Sequence, residues 1–140
     1  MRATLFLFGI VFALILLCGN AFADPNLIPG KWEYTILVEM PDMPPDTKIP
    51  PITYTQCVKE GDFVPKSDEA AGECEMIDVR VVGDTVSWRI NCSNPGAKMM
   101  GVGKAVYHGD TMESTLEIIR DDGETEMKQS MTGRRIGNCD

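Results

Sequence analysis

Apolar and polar residues alternate with a period of two along most of this chain. From Lys31 onward, Trp32, Tyr34, Ile36, Val38 and Met40 fall on one face, while Glu33, Thr35 and Glu39 fall on the other. That pattern describes a strand with one side buried and one side in water. Pro29-Gly30 precedes it as a turn signal. Ile52–Val58 resumes the alternation, with Ile52 and Tyr54 set against Thr53, Thr55 and Cys57. Residues 79–88 form two alternating runs around Gly83-Asp84. Glycine first in a two-residue turn suits type II′, whose hand matches strand twist. Lys98–His108 runs into a turn at Gly109-Asp110 and returns as Thr111–Arg120. Asp121-Asp122-Gly123-Glu124 turns the chain again. Thr125–Arg134 is the last strand, with Met127, Gln129 and Met131 on one face. No stretch of comparable length carries a helical period.

Two-residue turns also predict registers. Around Gly83-Asp84, Val81 faces Val86, Val79 faces Trp88 and Ile77 faces Ile90. Around Gly109-Asp110, Tyr107 faces Met112, Ala105 faces Ser114, Gly103 faces Leu116 and Gly101 faces Ile118. Small residues opposite large ones let a strongly bent strand pack. Two segments break the pattern. Pro41, Pro44, Pro45, Pro50 and Pro51 cannot donate to a ladder, so 41–51 is a loop, partly polyproline-like. Lys59–Glu73 is a second, polar loop with room for one helical turn at Ser67–Ala71, and Ser93–Gly96 is a further turn. The expected fold is all-β: an antiparallel meander of about seven strands. One face is apolar, so the sheet curls into a curved, partly closed sheet or a small barrel. A flat two-sheet sandwich is the alternative.

The first residues read differently. Met1-Arg2 is a short positive start, residues 4–17 are almost unbroken apolar, and Ala21-Phe22-Ala23 places small residues before Asp24. That is the layout of a signal peptide over residues 1–23, cleaved between Ala23 and Asp24. The apolar run is about 14 residues, short of the roughly 20 a spanning helix needs. Leu17, before Cys18, is not the small residue a lipidation site needs. The expected product is a single β domain over 24–140, exported to the periplasm and not membrane-spanning.

Composition narrows the partners. The chain has 13 Lys+Arg and 21 Asp+Glu. Loss of Arg2 with the leader takes the net charge from −8 to −9. An acidic surface repels phosphate backbones and anionic lipid heads, so nucleic acid is not an expected partner.

Export changes the meaning of Cys57, Cys74, Cys92 and Cys139. An even cysteine count in an exported domain implies disulfides. Spacings of 17, 18 and 47 residues lack the close pairs of a zinc site and any CxxC redox motif. The favoured pairing is Cys74–Cys92, across one hairpin, with Cys57–Cys139 tying down the tail. The turn register puts Cys92 opposite Glu75, so the first bridge requires a bulge or an irregular strand start near Cys74.

Short motifs then combine. Pro29-Gly30-Lys31-Trp32-Glu33, Met40 to Pro44, Thr55-Gln56-Cys57-Val58, Cys74, Val86-Ser87-Trp88, Cys92 and the ending Gly133 to Cys139 follow one another in order. In this the chain resembles the DUF3617 family of small exported bacterial proteins, over nearly its whole length after the leader. It departs mildly in ending Gly-Asn-Cys rather than Gly-Asp-Cys. The resemblance implies a periplasmic or envelope location and no established activity.

Nothing in the sequence assembles a catalytic site. The single histidine, His108, flanks a turn, no GxSxG elbow is present, and bridged cysteines are not nucleophiles. Asp121–Glu124 lacks the alternating spacing of a calcium loop. The expectation is a non-enzymatic binding or interaction module without a cofactor. Three forms of it follow. A small apolar ligand would sit in the concave sheet face against Trp32, Tyr34, Trp88, Tyr107, Met112, Leu116 and Ile118. Thioethers of Met40, Met43, Met99 and Met100 would suit Cu(I). An envelope protein would be held by the Pro-rich loop, through Met40, Met43 and Ile49, or by strand addition at an edge.

Overall fold

The computed structural model describes residues 24–44, 47–65, 74–94 and 97–140. The leader over 1–23 and the helical turn at Ser67–Ala71 lie outside the described residues. Seven strands form one antiparallel sheet: β1 (Gly30–Glu39), β2 (Ile52–Val58), β3 (Cys74–Val82), β4 (Thr85–Asn94), β5 (Ala97–Tyr107), β6 (Thr111–Arg120) and β7 (Thr125–Gly137). Their spatial order is β2-β1-β7-β6-β5-β4-β3. β3 to β7 are therefore a continuous meander, and the β1–β2 hairpin joins it through β1 and β7. The sheet is open, with β2 and β3 at its two edges.

The turns set the registers as the sequence predicts. Tyr107 pairs with Met112, Ala105 with Ser114, Gly103 with Leu116 and Gly101 with Ile118. Val81 pairs with Val86 and Val79 with Trp88. Gly83 has φ of 57° and Asp84 is not in the positive-φ region, which is the type II′ combination. One expectation is corrected: Met76, not Ile77, faces Ile90. Cys74 sits directly opposite Cys92 and is bonded to it. That pairing requires one extra residue in β3, and the ladder absorbs it by skipping Ile77 between Met76 and Asp78. The bulge that the disulfide demanded is thus placed on a named residue. The β4–β5 ladder continues to Asn94 opposite Ala97, and the rest of the expected Ser93–Gly96 turn lies outside the described residues.

The core lies inside the curl. It collects Trp32, Tyr34 and Ile36 of β1, Val58 of β2, Val86 and Trp88 of β4, Ala105 and Tyr107 of β5, Met112 of β6 and Met131 of β7. All share the inward parity of their strands. Glycines make room for the largest of them. The β5 glycines Gly101 and Gly103 lie under Ile90 and Trp88, and a Cβ on Gly133 would come within 2.8 Å of both Met112 and Tyr34. Two of the buried polar tips are satisfied by backbone carbonyls. Trp32 Nε1 donates to Ile28 O at 3.0 Å, and Tyr107 Oη donates to Phe63 O at 2.8 Å. These bonds also pin the segments before β1 and after β2 over one end of the curl.

Candidate functional site

At the other end of the curl, the chain leaves β1 through the Pro-rich loop. Here a cleft of about 400 Å³ opens between the last turn of the strand and the loop, lined by Leu37, Val38, Met40, Met43, Pro44 and Ile49 with Glu39, Thr47 and Lys48. Sequence explains its shape. Prolines keep the described loop residues 41–44 and 47–51 out of the sheet, so Met40 and Met43 have no strand to pack against. Both remain substantially exposed. The loop is shaped by short backbone bonds, Met43 N to Met40 O at 3.1 Å and Thr47 N to Pro44 O at 2.9 Å. Leu37 adds to the wall because it breaks the β1 alternation. It stands on the otherwise polar face and is 49 % exposed.

An ionic hub anchors this loop to the β6–β7 hairpin. Arg120 Nη1 lies 2.8 Å from Glu126 and 3.5 Å from Asp42 in the loop, Nε lies 3.5 Å from Asp122, and Nη2 meets Glu124. The Glu124 backbone amide holds the Asp122 carboxyl below the usual range, with Arg120 adding to the effect. Arg120→Gln is therefore expected to raise the Asp122 titration midpoint without returning it to that of a free aspartate. Carboxyl-carbon NMR titration measures the shift. An unchanged midpoint would remove Arg120 from the account.

The expected concave-face residues are placed differently from the cleft. Trp32, Tyr34, Tyr107 and Met112 are at most 2 % exposed, Trp88 and Ile118 are buried, and Leu116 is half-buried. Trp32 and Tyr34 stack with centroids 6.1 Å apart, and Tyr34 stacks on Tyr54 at 5.3 Å. Burial pushes the hydroxyls of Tyr34 and Tyr107 far above the usual phenol range. These side chains pack against one another, so a ligand among them would have to displace that packing. The four candidate thioethers are divided. Met40 and Met43 share one loop turn. Met99 and Met100 are consecutive on β5 and point to opposite faces. His108 is exposed at the β5–β6 turn, where its amide donates to Thr111 O at 2.9 Å.

Among the described residues, no group of three or more His, Cys, Asp or Glu side chains is arranged to hold a metal ion. No described helix is long and apolar enough to cross a membrane. The disulfides are Cys57–Cys139 and Cys74–Cys92. Sequence reasoning picked out Met40, Met43 and Ile49 but missed Leu37, Val38, Pro44 and the Arg120 hub. The signal for Leu37 was available in its break of alternation. The hub's link to the loop carried none, because Asp42 and Arg120 are 78 residues apart.

Comparison with known proteins adds the family. Residues 27–139 match the family described as "Protein of unknown function (DUF3617)". No curated protein and no solved structure matches the chain.

Proposed function

The chain belongs to the DUF3617 family, whose description assigns no activity, and we propose that it is a non-enzymatic binding module of the periplasm that takes a small apolar molecule. The cleft between the end of β1 and the Pro-rich loop carries this reading. Its volume of about 400 Å³ falls within the range of small-molecule pockets. Its walls are thioether and aliphatic side chains, which re-pack around irregular apolar shapes. Glu39 and Lys48 stand in its wall with opposite charges, which suits an uncharged ligand better than an ionic one. The two disulfides support the periplasmic part of the reading, since such bonds persist in an oxidising compartment.

Burial of the concave face moves the ligand from the curl to the cleft, because the aromatic interior is occupied by its own packing. The test uses N-phenyl-1-naphthylamine, an uncharged fluorophore that brightens in apolar surroundings. Periplasmic protein is expected to enhance its emission. Met43→Asp and Ile49→Asp, both outside the core, are each expected to cut the enhancement at least about fivefold, since a charge in an apolar pocket costs more than 1 kcal/mol. Emission no greater than that of free probe, or enhancement unchanged by both substitutions, would refute the cleft as the site.

A further inference from the structure

β3 is an edge strand whose apolar residues are unusually bare. Val82 is 76 % exposed, Ile77 51 %, Val79 45 % and Met76 43 %. Beyond β4, no strand pairs with it among the described residues. A long edge with open donors and acceptors and an apolar lining is a template for another strand. Its charges indicate which one. Asp78 and Arg80 are separated by a single residue, Val79, and share the outward face. Asp78 is already held by Arg89 of β4 at 2.9 Å, whereas Arg80 reaches Asp78 only at 3.4 Å and its side chain is 74 % exposed.

We propose that β3 is the seam of a symmetric dimer, in which two copies pair antiparallel, edge to edge, about a two-fold axis at Val79. In that register Val79 faces its own copy, and Arg80 faces Asp78 of the second copy on both sides of the axis. Beyond these three pairs the Ile77 bulge puts Met76 and Val82 on opposite faces, so the matched seam is the central one. The seam thus pairs an exposed apolar residue with its own copy and gives Asp78 and Arg80 each an opposite charge. An isologous interface demands this self-complementarity, and cross-strand pairs of opposite charge are the favourable ones. A strand of unrelated sequence would meet the apolar residues without matching the alternating charges. The bond from Arg89 to Asp78 remains in place, so the charged row runs across the seam as Arg89, Asp78 and the second copy's Arg80. The bulge at Ile77 lies outside the central three pairs.

The experiment is sedimentation equilibrium of the disulfide-bonded protein over 24–140, up to roughly 0.5 mM, the range suited to a small interface. Physiological salt screens the overall acidity of the two copies. The wild type is expected to dimerise. Arg80→Asp places two like-charge pairs across the axis, and so does Asp78→Arg. Each alone is expected to dissociate about tenfold more readily. Mixed together they restore two opposite-charge pairs, and a heterodimer is expected at near wild-type strength. Thermal unfolding of each variant checks that the monomer is folded. If Asp78→Arg unfolds through loss of its bond to Arg89, the double variant Asp78→Arg with Arg89→Asp, which keeps that ion pair with its charges exchanged, replaces it in the mixture with Arg80→Asp. A wild type that stays monomeric, as it would if β3 receives only a foreign peptide, overturns the proposal. So does a dimer indifferent to the single substitutions, or a mixture that fails to recover.

Discussion

Substituting alanine at Gly103 is expected to destabilise the protein by about 1–3 kcal/mol, the usual cost of overpacking a filled core. Gly103 of β5 pairs with Trp88 of β4 on one side and Leu116 of β6 on the other. The Trp88 indole lies over the glycine, and any Cβ there would overlap three of its ring atoms. Those atoms belong to a rigid ring that is itself 6 % exposed and packed in the core, so it has no free direction in which to move. A lowered thermal midpoint in calorimetry is the first readout, at several degrees per kcal/mol for a domain of this size. The second is a double-mutant cycle. Trp88→Leu removes the ring and costs a cavity. Combined with Gly103→Ala, it is expected to show at least about 1 kcal/mol of favourable coupling, since neighbours that compete for one space are not additive. Strict additivity would show that the indole does not occupy the glycine's vacancy, and the account of how the sheet bends would fail with it.

The same pair illustrates what the sequence revealed. Gly103 opposite Leu116 was legible because Gly109-Asp110 fixes the hairpin, and a tight turn transmits its register along the whole ladder. Cys74 and Cys92 were more informative still. Simple alternation placed them on different faces, the oxidised pair required the same position, and the conflict pointed to a bulge. Only which residue bulges, Ile77, was left to the structure. Non-local features were not legible. Pairing of β1 with β7 brings Glu33 beside Arg134, and no turn connects them. Whether the curl closes depends on twist accumulated over seven strands, to which each residue contributes a little. The inward parity of Trp32, Tyr34 and Tyr107 was clear, but alternation cannot say whether an inward face meets a ligand or its own neighbours. In the fold they are buried against their neighbours, and Trp32 and Tyr107 also hydrogen-bond to Ile28 and Phe63. The cleft formed instead where alternation failed, at Leu37 and the prolines.

Removing the Cys57–Cys139 bridge is expected to cost more than removing Cys74–Cys92, although both span a short distance in the fold. Chain entropy sets the order. The first closes a sequence separation of 82 and the second one of 18, which correspond to about 4.5 and about 3 kcal/mol of constraint on the unfolded chain. Position in the sheet widens the gap. Cys74 and Cys92 are already registered by the β3–β4 ladder, whose tight turn brings them together without help. Cys57 lies on the edge strand β2, opposite Lys31 of β1, and Lys31 in turn faces Gly137 of β7. The bridge to Cys139 therefore crosses β1 and ties an edge strand to the tail beyond β7, at the junction no turn enforces. Paired Ser replacements, Cys57→Ser with Cys139→Ser and Cys74→Ser with Cys92→Ser, separate the contributions by urea denaturation. The first is expected to lose roughly 4 kcal/mol, a large fraction of the 5–15 kcal/mol typical of a whole domain. Its β2 amides are expected to exchange with solvent faster than those of β5 and β6. The second pair is expected to lose less and to leave β2 protected. An equal loss in both variants, or uniform exchange across the sheet in the first, would mean that β1 holds β2 without the staple and that the β1–β7 junction stands on its backbone bonds alone.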